Sequence, residues 1–170
     1  MNKRILFTII YFIIINSCYN DKYVDWQDVI LTDIGTFKVP KEWIVTNSDD
    51  MIYITDKPIE EENYKIYLVG VPTSTRSKKI KEYDIFKDVE FIDFASHGVV
   101  YSNGGRYWVE KLSINGVIQE KYVIIIGGRY SEEGIYNDIN LFSWDDLIDK
   151  ETIIKITNSF TRVFPKPPKI

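Results

Sequence analysis

The feature that most constrains this chain is Asn115-Gly116, which stands between two long β-prone runs, residues 105–114 and 117–126. Both residues tolerate a positive φ, so the dipeptide favours a type I′ turn, whose twist matches that of the strands it joins. Such a turn fixes the register: Ile114 faces Val117, Lys111 faces Glu120, Glu110 faces Lys121 and Trp108 faces Val123. A slip of one residue would separate both charge pairs. Farther from the turn, Tyr107, Val109, Tyr122 and Ile124 lie on one face, and Trp108, Val123 and Ile125 lie on the other. Both faces are apolar, so the hairpin belongs to a sheet that is covered on both sides.

The other elements are read around this hairpin. Residues 36–40 form a strand closed by Pro40, which has no N–H for a ladder. Met51–Thr55 and Tyr64–Val71 are rich in Ile, Tyr and Val, and the acidic turn at 58–63 pairs them as a second hairpin. Ile80, Tyr83 and Phe86 fall near helical spacing in residues 78–88, which predicts a short helix. Ile153, Ile156 and Phe160 predict an amphipathic helix over 149–162, capped by Asp149 or Asp146 and stopped before Pro165-Lys166-Pro167-Pro168. The expected fold class is therefore α+β, an antiparallel sheet with helices packed on both faces. Residues 31–164 form its single domain and 165–170 a Pro-rich tail.

The N-terminus carries a separate message. Lys3 and Arg4 precede an eleven-residue run, Ile5 to Ile15, that is apolar except for Thr8. As a helix it would span about 16 Å against a hydrocarbon core of about 30 Å, which suits a signal peptide rather than a membrane span. Ile15-Asn16-Ser17-Cys18 follows and resembles the lipobox of bacterial lipoproteins, with Asn16 in place of the usual small or aliphatic residue. That resemblance implies a diacylglycerol on the Cys18 thiol, removal of residues 1–17, and a lipidated cysteine and tether over 18–30. Losing Lys3 and Arg4 takes the net charge from −4 to −6, so the acyl chains, not a basic patch, hold the protein to the membrane. The chain has 28 Ile, 16 Lys, 12 Tyr and 10 Asn against five Arg, a usage of AT-rich codons that points to an AT-rich bacterium, of the Bacteroidetes type, although a lysine-rich lipoprotein of a Gram-positive species has the same look. The expected place is then the cell envelope, at the outer rather than the inner membrane, facing the periplasm or the surface.

Phe37-Lys38-Val39-Pro40-Lys41-Glu42-Trp43, the central Asn-Gly hairpin and Asn158-Ser159-Phe160 resemble, in this order, motifs of the PsbP/Mog1-like superfamily. Lys41-Glu42 departs from that family, which has a glycine before the tryptophan. The resemblance implies an α/β/α sandwich and a protein that binds other macromolecules rather than one that catalyses a single reaction.

Candidate chemistry is sparse. A sequence pI near 5.1 removes the basic footprint that nucleic acid requires, and one Cys with one His cannot complete a zinc site. His97 shares a strand-like run with Asp93, but no nucleophile motif or phosphate-binding loop accompanies it. Glu60-Glu61-Glu62 reads as a solvated turn, and Asp145, Asp146 and Asp149 read as an acidic helix start, so no metal or cofactor is expected. Gly104-Gly105 and Gly127-Gly128 read as turns. Trp43, Trp108 and Trp144, with His97, are the candidate binding residues. The expectation is a non-catalytic, lipid-anchored binding or accessory module with a protein partner in the envelope. The other reading is an envelope enzyme or small-ligand carrier with a cleft near His97 and the tryptophans.

Overall fold

The computed structural model describes residues 21–31, 34–48, 51–72, 80–94, 99–100, 105–130 and 136–162. Cys18, His97, the signal peptide (1–17) and the tail (165–170) lie outside the described residues. Among the described residues eleven strands are formed: β1 Trp26–Leu31, β2 Gly35–Pro40, β3 Ile44–Ser48, β4 Met51–Thr55, β5 Ile66–Pro72, β6 Val89–Phe94, β7 Val99–Val100, β8 Arg106–Ile114, β9 Val117–Tyr130, β10 Tyr136–Ser143 and β11 Thr161–Arg162. One α-helix among them, α1, spans Lys150–Ser159. The main sheet has the order β3-β4-β5-β10-β9-β8-β6, with β7 also on β8, and a smaller sheet has the order β1-β2-β11. Every pairing is antiparallel.

The β8–β9 hairpin has the register that Asn115-Gly116 dictates, with Lys111 opposite Glu120, Glu110 opposite Lys121 and Trp108 opposite Val123. The turn residues sit at φ of 51° and 78°, both in the left-handed region that a type I′ turn requires. The β4–β5 hairpin also forms, with its strand starting at Ile66 rather than Tyr64. Both faces of the main sheet are buried, as the two-sided apolar pattern requires. On one face Ile52, Ile54, Leu68, Ile124, Ile126 and Leu141 meet Val29, Leu31, Phe37 and Val39 of the small sheet and Ile153, Ile156 and Phe160 at its end. On the other, Val69, Val71, Leu112, Val123 and Phe142 meet Ile80 and Phe86.

The expected α+β sandwich with helices on both faces is not what covers them. The chain is mostly β: a second sheet and one short helix cover the first face, and two single 3-10 turns, Ile80–Glu82 and Asp84–Phe86, cover the second. Two physical reasons account for the difference. Trp26–Leu31, which starts within the stretch 18–30 expected as a tether, alternates buried and exposed residues over 28–31 and pairs along its length with β2, so the fold begins before residue 31. Ile80, Tyr83 and Phe86 recur every three residues, which is the period of a 3-10 helix, where residues i and i+3 eclipse.

The last helix is also shorter than the predicted 149–162. The Ser159 hydroxyl donates to the Ile156 carbonyl at 2.6 Å and accepts from the Lys38 N–H at 2.8 Å, tying the helix end to β2. Phe160 then turns extended, and Thr161 and Arg162 pair with Thr36 and Gly35. Gly35 permits this close approach: a Cβ there would meet the Phe160 ring at 2.6 Å and the Thr161 carbonyl oxygen closer still.

Candidate functional site

The three tryptophans singled out in the sequence do not converge. Trp43 immediately precedes β3 and is 8% exposed, with its ring stacked on Tyr67 at 4.2 Å and 9°. Two local devices build this stack. A bulge between the pairs Ile54–Leu68 and Thr55–Ile66 leaves Tyr67 opposite no residue of β4 and swings it to the same side as Leu68. The Gln27 amide donates to the carbonyls of Pro40, Lys41 and Trp43, holding the turn that ends in the tryptophan. Burial pushes the Tyr67 phenol above its usual range, and Asp56 and Glu42 add to the rise by disfavouring a second negative charge.

Trp108 lies in the core of the opposite face, and half-buried Trp144 packs edge-on against Phe86 at 5.2 Å. Trp43 is thus separated from Trp108 and Trp144 by the main sheet, so these rings are core and rim packing and line no common cleft. His97, the fourth candidate, is outside the described residues.

The carboxylates of the segment after β10 each have a structural task. Asp145 Oδ2 accepts the Ile66 N–H at 2.7 Å, and the Asp145 N–H donates to the Ile66 carbonyl at 3.0 Å, so the segment is sewn to β5. Asp146, at a φ of 52°, accepts from Lys121 Nζ at 2.8 Å, while the same ammonium donates to the Trp144 carbonyl. Asp149 accepts the Thr152 N–H at 2.7 Å as the cap of α1, and this bond holds its carboxyl below the usual range. The three side chains point to three different partners rather than to one ion. Among the described residues no group of three His, Cys, Asp or Glu could hold a metal.

Sequence reasoning did not find the burial of the Glu110–Lys121 pair. As cross-strand neighbours it and Lys111–Glu120 look alike, yet the 3.9 Å Lys111–Glu120 bridge is exposed while Glu110 and Lys121 are each 1% exposed. The available signal was the position of both on the face that carries Trp108 and Val123.

A shallow depression of about 350 Å³ lies beside the hairpin turn, lined by Lys81, Lys87, Asp88, Glu90, Ser113 and the turn itself. Its charges are of both signs, and the Ser113 hydroxyl lies among them with no imidazole in the lining. No helix among the described residues is long and apolar enough to cross a membrane. Comparison with protein-family models, with curated proteins and with solved structures found no match.

Proposed function

We propose that this chain is a lipid-anchored protein of the bacterial cell envelope that acts as a non-catalytic binding or accessory module. The observation that carries the proposal is the order Lys3-Arg4, apolar 5–15, then Ile15-Asn16-Ser17-Cys18. The fold supports it in two ways. Its first strand starts at Trp26, so only seven residues separate that strand from Cys18. The tryptophans and the Asp145–Asp149 carboxylates, the groups most able to bind or react, are engaged in packing, capping and ion pairing.

The test is mass spectrometry of the protein purified from its native host, beside the variant Cys18→Ser. The wild type is expected to lack residues 1–17 and to carry acyl chains on Cys18, while the variant accumulates as an uncut, unmodified precursor. A wild-type protein at full precursor mass without acyl chains refutes the anchor. Envelope partners are then sought by affinity capture on the acylated protein.

A further inference from the structure

The exposed apolar side chains of this protein are not scattered. The ladder register defines one end of the main sheet, carrying Ile44, Thr55, Ile66, Ser143, Val117, Ile114 and Val89. Of the seven large hydrophobic residues that are exposed among the described residues, five belong to this end: Val24, Tyr64, Val117, Ile118 and Leu147. Val117 and Ile118 start β9 at the tip of its hairpin, and Tyr64 precedes β5. Leu147 follows Asp145, which is bonded to Ile66. Val24 adjoins Asp25, whose carbonyl accepts the Lys41 N–H next to the start of β3.

The N-terminal segment enters at this same end. Tyr23 is fastened there, its hydroxyl donating to the Lys155 carbonyl at 3.0 Å and its ring set edge-on to Trp26 at 5.4 Å. Five residues of chain from Cys18 to Tyr23 can reach at most about 18 Å. A body tied to a bilayer by so short a stretch cannot present its opposite end to that bilayer.

We propose that this end of the main sheet rests on the lipid surface in which Cys18 is anchored, with Val24, Val117, Ile118 and Leu147 entering the headgroup layer. The proposal rests on the lipoprotein reading above. Glu60, Glu61 and Glu62 are exposed at the turn between β4 and β5, also at this end, so the surface it fits is zwitterionic rather than anionic. The anchor keeps the apolar tips at high local concentration against the membrane, so contacts too weak to recruit a free protein are populated in the tethered one.

The test uses the mature, acylated protein in phosphatidylcholine vesicles containing a spin-labelled, quenching lipid. An environment-sensitive fluorophore is placed on one introduced cysteine at a time, the Cys18 thiol being blocked by its lipid. Val117→Cys, Ile118→Cys and Leu147→Cys report on the proposed contact end. Ile30→Cys and Asn47→Cys, exposed and toward the opposite end, are controls. Quenching severalfold greater at 117, 118 and 147 than at 30 and 47 is expected, with a blue-shifted emission, and enrichment in phosphatidylglycerol should reduce that ratio. Equal quenching at all five positions, or greater quenching at the controls, overturns the orientation. A ratio that does not fall with phosphatidylglycerol overturns the zwitterionic preference. Failure of the lipoprotein reading is seen separately, as protein that carries no acyl mass and does not stay with the vesicles.

Discussion

Replacing Lys121 with methionine isolates the most consequential polar contact of the fold. The side chain is 1% exposed, and its ammonium donates to the Trp144 carbonyl and to Asp146 at 2.8 Å, across the strand from Glu110, also 1% exposed. Methionine keeps most of the apolar stem and removes the charge and the donors. Asp146 is 70% exposed and is resolvated cheaply, so little of the loss comes from that bridge. Most comes from the part-buried Trp144 carbonyl, which loses its donor. Leaving such an acceptor without its donor costs about 1–3 kcal/mol, a sizeable fraction of the roughly 5–15 kcal/mol that holds a domain together. Urea unfolding of residues 19–170, followed by tryptophan fluorescence, should show a lower midpoint at unchanged slope. A variant costing under about 0.5 kcal/mol would refute the reading of this ammonium as the tie between β9 and the segment after β10.

Three further outcomes follow from the same geometry. Lys111→Glu should cost a few tenths of a kcal/mol and Lys111→Glu with Glu120→Lys nearly nothing, since this pair is exposed at 3.9 Å; the melting temperatures of the two variants check it. Gly35→Ala should cost about 1–3 kcal/mol, which at roughly 2–4 °C per kcal/mol is a clear drop in melting temperature, because its methyl group would overlap the Phe160 ring and the Thr161 carbonyl. Asp149→Ala should cost about 0.5–2 kcal/mol near neutral pH through the lost cap. The Asp149 carboxyl lies lower in the folded protein than its ordinary 3.8, so its ionised form stabilises the fold above that value. The difference between wild type and Asp149→Ala should therefore narrow as pH falls through and below 3.8, and a difference that widens on acidification would contradict this.

What the sequence by itself determined is local. Asn115-Gly116 settles the pairing of β8 with β9 to the residue, because a two-residue turn leaves one register compatible with its backbone geometry. The alternating pattern of that hairpin required both faces to be covered, and both are. Asp149 and the spacing of Ile153, Ile156 and Phe160 announced α1. What covers each face was decided only in three dimensions. An apolar face needs apolar area against it and does not specify whether a helix, a sheet or a 3-10 turn provides it, so the small sheet over one face and Phe86 over the other emerge from packing. The same holds for the candidate residues. Trp43 and Trp108 look alike as isolated tryptophans, and the sheet between them alone shows that they share no cleft. Glu110–Lys121 and Lys111–Glu120 look alike as cross-strand pairs, yet one lies under the segment after β10 and the other faces water. Burial is a property of what packs above a residue, and for Lys121 that is the distant Trp144–Asp146 turn.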